Sequence, residues 1–288
     1  VTIVATPVVD RALKALRQAE AAAGVTISMV RDVEAVHQAS EVWRKVWERT
    51  GDRPVPPEVL RALSHAGNYV GGAYRDGRMI GALLGFYAGQ DGVDHAHSHI
   101  LGVDPDARAG GVGFALKLHQ RHWALERGLD RIDWTFDPLV RNNAFFNINK
   151  LGCRGVEYHV DFYGEMPDAI NGGDRTDRIL VEWRLASPEV EMAAAGGAAP
   201  AGADIGAWRE RGAVVAIEVG AGEEPVLGDD GGDLLLVQVP EDIVALRHQD
   251  AAGGQRWRAA VRDVLGGALG RGLEIQGMSR DGWYVLSR

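Results

Sequence analysis

The sequence predicts an α+β fold: a central, twisted sheet of mixed strand direction flanked by helices, followed by a smaller α+β unit. Three observations predict it. Period-two apolar runs alternate with apolar stripes at helical spacing through residues 25–186. A low-complexity stretch, Ala193 to Ala203, then interrupts the pattern and reads as a linker. A second strand and helix pattern follows it, and 288 residues exceed the usual size of one domain. The expected organisation is an N-terminal helical segment (1–24), a main domain (25–186), an Ala/Gly-rich linker (187–210) and a C-terminal unit (211–288).

The elements follow in order. Asp10 to Ala23 is rich in Ala and Leu and reads as a helix that Gly24 stops. Val25 to Val30 alternates and reads as a strand. Asp32 is placed to cap a helix whose stripe is Ala35, Val36, Val42, Val46 and Trp47, and Pro54-Val55-Pro56-Pro57 breaks the pattern. A short helix spans Glu58 to Ala66. Tyr69 to Tyr74 and Met79 to Tyr87 flank Arg75-Asp76-Gly77-Arg78, and Asp-Gly between apolar runs predicts a hairpin. Ala96 to Val103 is the third strand of this meander. A helix from Gly111 to Arg127 carries Val112, Ala115, Leu116, His119 and Trp123 on its inner stripe. Arg131 to Phe136 is a strand, Asn143 to Leu151 a helix ended by Gly152, and Val156 to Tyr163 and Ile179 to Leu185 two more strands. In the C-terminal unit, Val214 to Val219 and Leu234 to Val239 are strands joined by a Gly228 to Gly232 turn. Trp257 to Leu269 is a helix, and Leu273 to Gln276 with Trp283 to Leu286 form a closing hairpin.

Composition narrows the function classes. A net charge of −9 argues against general nucleic-acid binding, which needs a basic face. The single cysteine, Cys153, forms no internal disulfide and fits a reducing, cytoplasmic setting. No apolar run approaches the roughly 20 residues that span a bilayer. The opening Val1-Thr2-Ile3-Val4-Ala5 lacks the basic and apolar regions of a signal peptide. A small-molecule partner is expected, with no nucleic acid and no membrane, and a homodimer is one open assembly.

The segment from His97 to Gly113 is the most informative. A strand runs into Asp104-Pro105, then Arg108-Ala109-Gly110-Gly111-Val112-Gly113, then a helix. Backbone N–H groups of such a loop converge on a phosphate, and glycine lets the ligand approach closely. Upstream, His97 and His99 stand two apart on a strand, so both rings face one side.

At Val103 to Lys117 the chain resembles motif A of the GNAT acyltransferase superfamily, with Arg108, Gly111 and Gly113 in the matching positions. The element order of residues 25–185 fits that fold, and Leu151-Gly152-Cys153 resembles the ending of the family's second motif. The resemblance implies acyl-coenzyme A as co-substrate, acetyl or succinyl in its acyl part. It implies a pyrophosphate cradle of Arg108, Ala109, Gly110, Gly111, Val112, Gly113 and Phe114. It also implies a pantetheine slot between two splayed strands and a backbone N–H near Leu101 to Val103 for the thioester carbonyl. The coenzyme-binding set then extends to Asn143, Asn147 and Lys150. Phe136-Asp137-Pro138-Leu139, Asn143 to Asn147, Tyr163-Gly164 and Thr176-Asp177-Arg178 are similar to a bacterial group associated with N-acylamino-acid racemases. That likeness implies succinyl transfer to an amino acid.

Acylation of an amine needs a group that removes a proton and, at the leaving thiolate, one that returns it. His97 and His99 suit the first task, since an imidazole titrates near ~6.5, and arylalkylamine N-acetyltransferases carry a similar His-x-His. His95, His97 and His99 also make a His-x-His-x-His run, which on a strand suits zinc or copper, but no metal is expected. Ile148 stands where many GNAT enzymes place a thiolate-protonating tyrosine. Asn147, Asn149, Tyr158, Tyr163 and water are the replacements weighed. Asp161 and Asp177 are further candidate bases, and Arg141, Lys150 and Arg178 candidate carboxylate or phosphate partners. The expected activity is N-acyl transfer to a small amine by direct attack. The alternative is a non-catalytic acyl-coenzyme A sensor or scaffold, which the missing tyrosine favours and the paired histidines oppose.

Overall fold

The computed structural model describes residues 6–47, 53–90, 93–107, 110–164, 174–197 and 204–288. They form two compact units. The first is Val1–Trp134 with Arg184–Ser187; the second is Thr135–Trp183 with Pro188–Arg288.

In the first unit the order is α1 (Thr6–Ala23), β1 (Thr26–Met29), α2 (Val33–Val46), α3 (Pro57–His65), β2 (Tyr69–Arg75), β3 (Arg78–Gln90), β4 (Val93–Val103), α4 (Val112–Glu126) and β5, which begins at Arg131. Its sheet runs β1-β2-β3-β4-β5. The first four strands are antiparallel and β5 joins β4 in parallel. This is the mixed sheet with helices against it that the sequence predicts.

Local chemistry explains the elements. The Asp32 carboxylate accepts the Ala35 N–H at 2.8 Å, capping α2 as the sequence predicts. Asp76 (φ 52°) and Gly77 (φ 76°) both lie in the left-handed region, which is the two-residue turn expected between β2 and β3. Ala35, Val36, Ala39, Val42 and Trp43 bury one side of α2 in a core with Val70, Ala82 and Leu84. The Trp43 indole N–H donates to the Ala82 carbonyl at 3.1 Å. Gly102 lets that ring lie on the sheet, since a Cβ there would stand 2.6 Å from Trp43 Cδ1. On the opposite face, α4 sits close over Gly81, where a Cβ would meet Leu116 and Val112 side chains at 3.1 Å.

The second unit holds α5 (Arg141–Ala144) continuing into a π-helical turn over Phe145–Lys150, then β6 (Arg154–His159), β7 (Arg178–Arg184), α6 (Pro188–Ala194) and α7 (Ile205–Glu210). After these come β8 (Val214–Val219), β9 (Pro225–Leu227), β10 (Leu234–Gln238), α8 (Ile243–Gln249), α9 (Ala251–Val261), α10 (Gly267–Gly270), β11 (Glu274–Met278) and β12 (Trp283–Ser287). Its strands run β7-β6-β11-β12-β10-β8-β9. β11 and β12 form the expected antiparallel hairpin. β8 and β10 depart from the simple turn expected between them. They pair in parallel, and β9 intervenes and folds back on β8. Within the segment 187–210, α6 and α7 are helical, and 198–203 lie outside the described residues.

Among the described residues no helix is long and apolar enough to cross a membrane.

Candidate active site

The glycine loop begins where β4 ends. The Asp104 N–H donates to the Ile80 carbonyl at 2.8 Å, and the Asp104 carbonyl accepts the Ala107 N–H at 2.8 Å across a short 3-10 turn, Pro105–Ala107. The Asp104 side chain is buried and accepts from Asp106 N–H at 3.2 Å and Arg78 at 2.6 Å, with Lys45 3.9 Å away. Burial pushes its carboxyl up, but the Asp106 N–H and the two cations outweigh that and hold it below the usual range. Arg108 and Ala109 lie outside the described residues. Gly110 is exposed, and Gly111 forms the N-cap of α4 at φ 78°, a left-handed conformation that favours glycine. No side chain caps this end. The first intrahelical bond formed by a helix residue is Ala115 N–H to the Gly111 carbonyl at 3.0 Å. Val112, Gly113 and Phe114 therefore present their N–H groups at the positive end of the helix, the geometry that receives an anion.

The adjoining stretch of β4 is bulged. Leu84 pairs with Ile100 and Gly85 with Ser98, so His99 is the extra residue. Below the bulge, Ser98 faces α4 and meets Lys117 Nζ at 2.8 Å. Above it, Leu101 and Val103 face α4, where a Cβ on Gly113 would lie 3.6 and 3.8 Å from their side chains. The Asp104–Ile80 bond sets the ladder: Ala82↔Gly102 and Leu84↔Ile100 are hydrogen-bonded pairs, while Leu83↔Leu101 and Gly81↔Val103 are not. Leu101 and Val103 thus turn their N–H and C=O groups towards the β5 side. Among the described residues β5 pairs with β4 at Ala96↔Ile132 and His97↔Asp133, and those groups lie beyond the last of these pairs.

His97 and His99 share the face of β4 opposite α4. Their ring centroids are 6.3 Å apart, and both rings pack on Phe86, at 5.2 and 5.9 Å. His97 Nδ1 lies 2.7 Å from Asp133 Oδ1, and His95 Nε2 lies 2.7 Å from Asp133 Oδ2. His99 is exposed, and partial desolvation first, then the neighbouring His97, hold its pKa below the usual imidazole value. Sequence reasoning missed Asp133. Its signal was an acidic residue at an inward position of an apolar strand, Ile132-Asp133-Trp134. It also missed a polar group under α4. Lys117 is buried with Nζ 3.3 Å from the centre of the Trp134 ring, and the fully buried Gln120 amide has neither polar atom hydrogen-bonded.

The remaining predicted residues belong to the second unit. Asn143 and Lys150 are exposed on α5 and its π-helical continuation. Asn147 is buried and its carbonyl accepts the Cys153 N–H at 3.1 Å; Ile148 is buried beside it. Tyr158 donates its O–H to Asp177 at 2.8 Å, and burial and then that carboxylate push its phenol well up. Tyr163 lies 3.3 Å from the Thr135 hydroxyl. Asp177 accepts two bonds from Arg262 at 2.8 Å and the Asp161 N–H at 3.0 Å. Arg178 donates to the Asp177 carbonyl at 2.9 Å, and Arg141 to the Arg280 carbonyl. Tyr158, Asp177, Arg178 and Arg141 are thus engaged in bonds within the unit. Cys153 is buried, as are Trp43, Trp123, Trp134, Trp257 and Trp283.

Among the described residues no cluster of three or more His, Cys, Asp or Glu is gathered to hold a metal ion. A cleft of about 580 Å³ opens on the first unit beside Asp104, lined by Glu34, Glu41, Lys45 and Arg53 among others; neither His97 nor His99 lines it.

No curated protein sequence matches the chain. Among solved structures it is similar to the ribosomal-protein-S18-alanine N-acetyltransferase from Escherichia coli, with 16% identity over 57% of this chain and 95% of that one, at a TM-score of 0.45. It is similar to Naa50 of Arabidopsis thaliana in complex with a bisubstrate analogue, with 19% identity over 55% of this chain and 97% of that one, at 0.44. An aminoglycoside acetyltransferase from an uncultured soil metagenomic sample, in complex with sisomicin, is 20% identical over 43% of this chain and 84% of that one, at 0.39. A family model, the acetyltransferase (GNAT) domain, matches residues 10–143. That match spans the segment that carries the glycine loop, the histidine strand and Asp133.

Proposed function

We propose that the chain is an N-acyltransferase that moves an acyl group from acyl-coenzyme A to the amine of a small molecule, an amino acid or a related metabolite, by direct attack in a ternary complex. The single observation that carries this reading is the early end of the β4–β5 ladder. Past His97↔Asp133, Leu101 and Val103 turn their backbone groups to the opened side, and the uncapped start of α4 follows a few residues on. The residues present fit the coenzyme: the N–H groups at the start of α4 suit its pyrophosphate, and Arg108, Ala109 and Gly110 are assigned to the same cradle from the sequence alone. When bound, the coenzyme supplies an acyl group activated as a thioester. The Leu101 or Val103 N–H donates to the thioester carbonyl oxygen as negative charge develops there. His97 and His99 take the proton that the attacking ammonium must lose. One C–N bond forms, one C–S bond breaks, and the thiol leaves with one proton.

We take the donor as acetyl- or succinyl-coenzyme A and the setting as cytoplasmic. Among GNAT proteins we place the chain with the bacterial group associated with N-acylamino-acid racemases, on the Phe136-Asp137-Pro138-Leu139 and Thr176-Asp177-Arg178 motifs. Thiol release from both donors against a panel of amines, amino acids included, tests the proposal. Turnover with at least one pair is expected, and His97→Ala should lower kcat by roughly 10²-fold. Tight coenzyme binding with no turnover for any pair would instead identify a sensor.

A further inference from the structure

We infer that Asp133 is a positioning residue for His97: its carboxylate, braced by His95, holds His97 as the Nδ1–H tautomer and presents Nε2 as the bare nitrogen that takes the proton. The inference rests on the transferase reading for its catalytic half and on geometry alone for its structural half.

Asp133 is buried and both of its oxygens face an imidazole. His97 Nδ1 lies 2.7 Å from Oδ1 and His95 Nε2 lies 2.7 Å from Oδ2. An ionised carboxylate only accepts hydrogen bonds, so each imidazole must be the donor. A neutral imidazole carries one N–H, so donation from Nδ1 leaves His97 Nε2 with its lone pair free. His95 donates from the other ring position, Nε2, and its side chain is only 6% exposed. The His97 side chain keeps 19% of its surface accessible, so of the two only His97 is open to solvent. The remaining neighbours described at the His97 ring, Phe86 and His99, pack against it without fixing its tautomer.

The backbone supports the same arrangement. His97 and Asp133 are cross-strand partners in the last pair that β4 and β5 share. The carboxylate therefore approaches from a fixed strand position rather than from a loop, at the point where the two strands part.

Nitrogen-15 NMR of the histidines in the full wild-type chain tests the structural half without any substrate. A proton-bearing Nδ1 and a bare Nε2 on His97 are expected; an Nε2–H tautomer overturns the proposal. Asp133→Asn places an amide donor opposite Nδ1. It should reverse the tautomer and lower kcat by 10²-fold or more, with KM changed by less than about 3-fold. An Asp133→Asn enzyme with unchanged tautomer and kcat overturns it. His95→Phe keeps the carboxylate but removes its brace, and a smaller fall in kcat is expected; it serves where Asp133→Asn does not fold. If His97→Ala keeps full kcat, the catalytic half falls while the transferase activity stands. If no donor and amine pair turns over, the transferase reading fails, and the wild-type tautomer still decides the Asp133–His97 pairing.

Discussion

His99 and Ile100 are sequence neighbours that face the same side of β4, because the strand carries its bulge at His99. Ile100 packs into the α2 core while the His99 ring rests on Phe86. The bulge keeps His99 level with His97, and their proximity has an electrostatic consequence. Burial first, and then the His97 imidazole, lower the His99 pKa. In His97→Ala the second contribution vanishes and the first remains. The His99 pKa should rise part of the way towards ~6.5. An NMR titration of the His99 ring checks this; an unchanged value would mean that the two imidazoles do not interact, and a lower one that His97 does not depress the His99 pKa.

Gly111 should matter for ligand binding more than for packing. At φ 78°, the nearest atom to a Cβ built there is Ala23 Cβ, at 3.8 Å, so the space is open and the penalty is in the backbone. Gly111→Ala is expected to cost about 1 kcal/mol of stability. It should also weaken coenzyme A binding, by moving the N–H groups of Val112 and Gly113 off their common target. Thermal unfolding and calorimetric titration with coenzyme A measure the two effects separately. Full affinity in the variant would remove the α4 terminus from the binding site.

The glycine loop, the Asp76-Gly77 hairpin and the α2 cap were legible in the sequence because each is local: a few adjacent residues carry the whole signal. His97 and His99 were legible as a period-two pair. The bulge was not, since alternation reads the same through a strand with one extra residue until its partner strand is known. Asp133 was invisible as a partner because it lies 36 residues from His97 and only the parallel register of β4 and β5 joins them. The parallel pairing of β8 with β10 escaped notice for a similar reason: a glycine-rich connection suggests a tight turn and says nothing of an inserted β9.

The second unit is held by charges equally remote in sequence. Asp137 lies 121 residues from Arg258 and 110 from Arg247. Its Oδ1 accepts from Arg258 at 2.8 Å and its Oδ2 from Arg258 at 2.8 Å and Arg247 at 3.1 Å. All three side chains are buried. Burial alone would raise the Asp137 carboxyl, but Arg258 reverses this and brings it down to about 2. Asp137→Asn leaves two buried guanidinium groups with Asp174 as their remaining carboxylate. A loss of about 3 kcal/mol is expected by urea unfolding. A loss under about 1 kcal/mol would show that Asp174 suffices. In the parent chain the contribution of Asp137 is complete above pH 3.8, the ordinary carboxyl value, and disappears as pH falls to about 2.

His119 acts in a different pH window and in the first unit. Its Nδ1 lies 2.9 Å from the Tyr69 hydroxyl, which sits 3.4 Å from the Leu116 carbonyl. Burial first, then His122 and Arg17, lower its pKa from 6.5 to about 4. The unfolded chain therefore binds this proton at a pH where the folded chain does not. The resulting stability is fully present above pH 6.5 and is lost as pH falls to about 4. The change approaches about 3 kcal/mol across that window if the full shift is realised. His119→Gln keeps an acceptor for Tyr69 and cannot titrate, so its unfolding free energy should vary less between pH 6.5 and 4 than that of the parent. Urea titrations at several pH values give both curves. Parallel slopes over this interval would mean that His119 is not the group responsible.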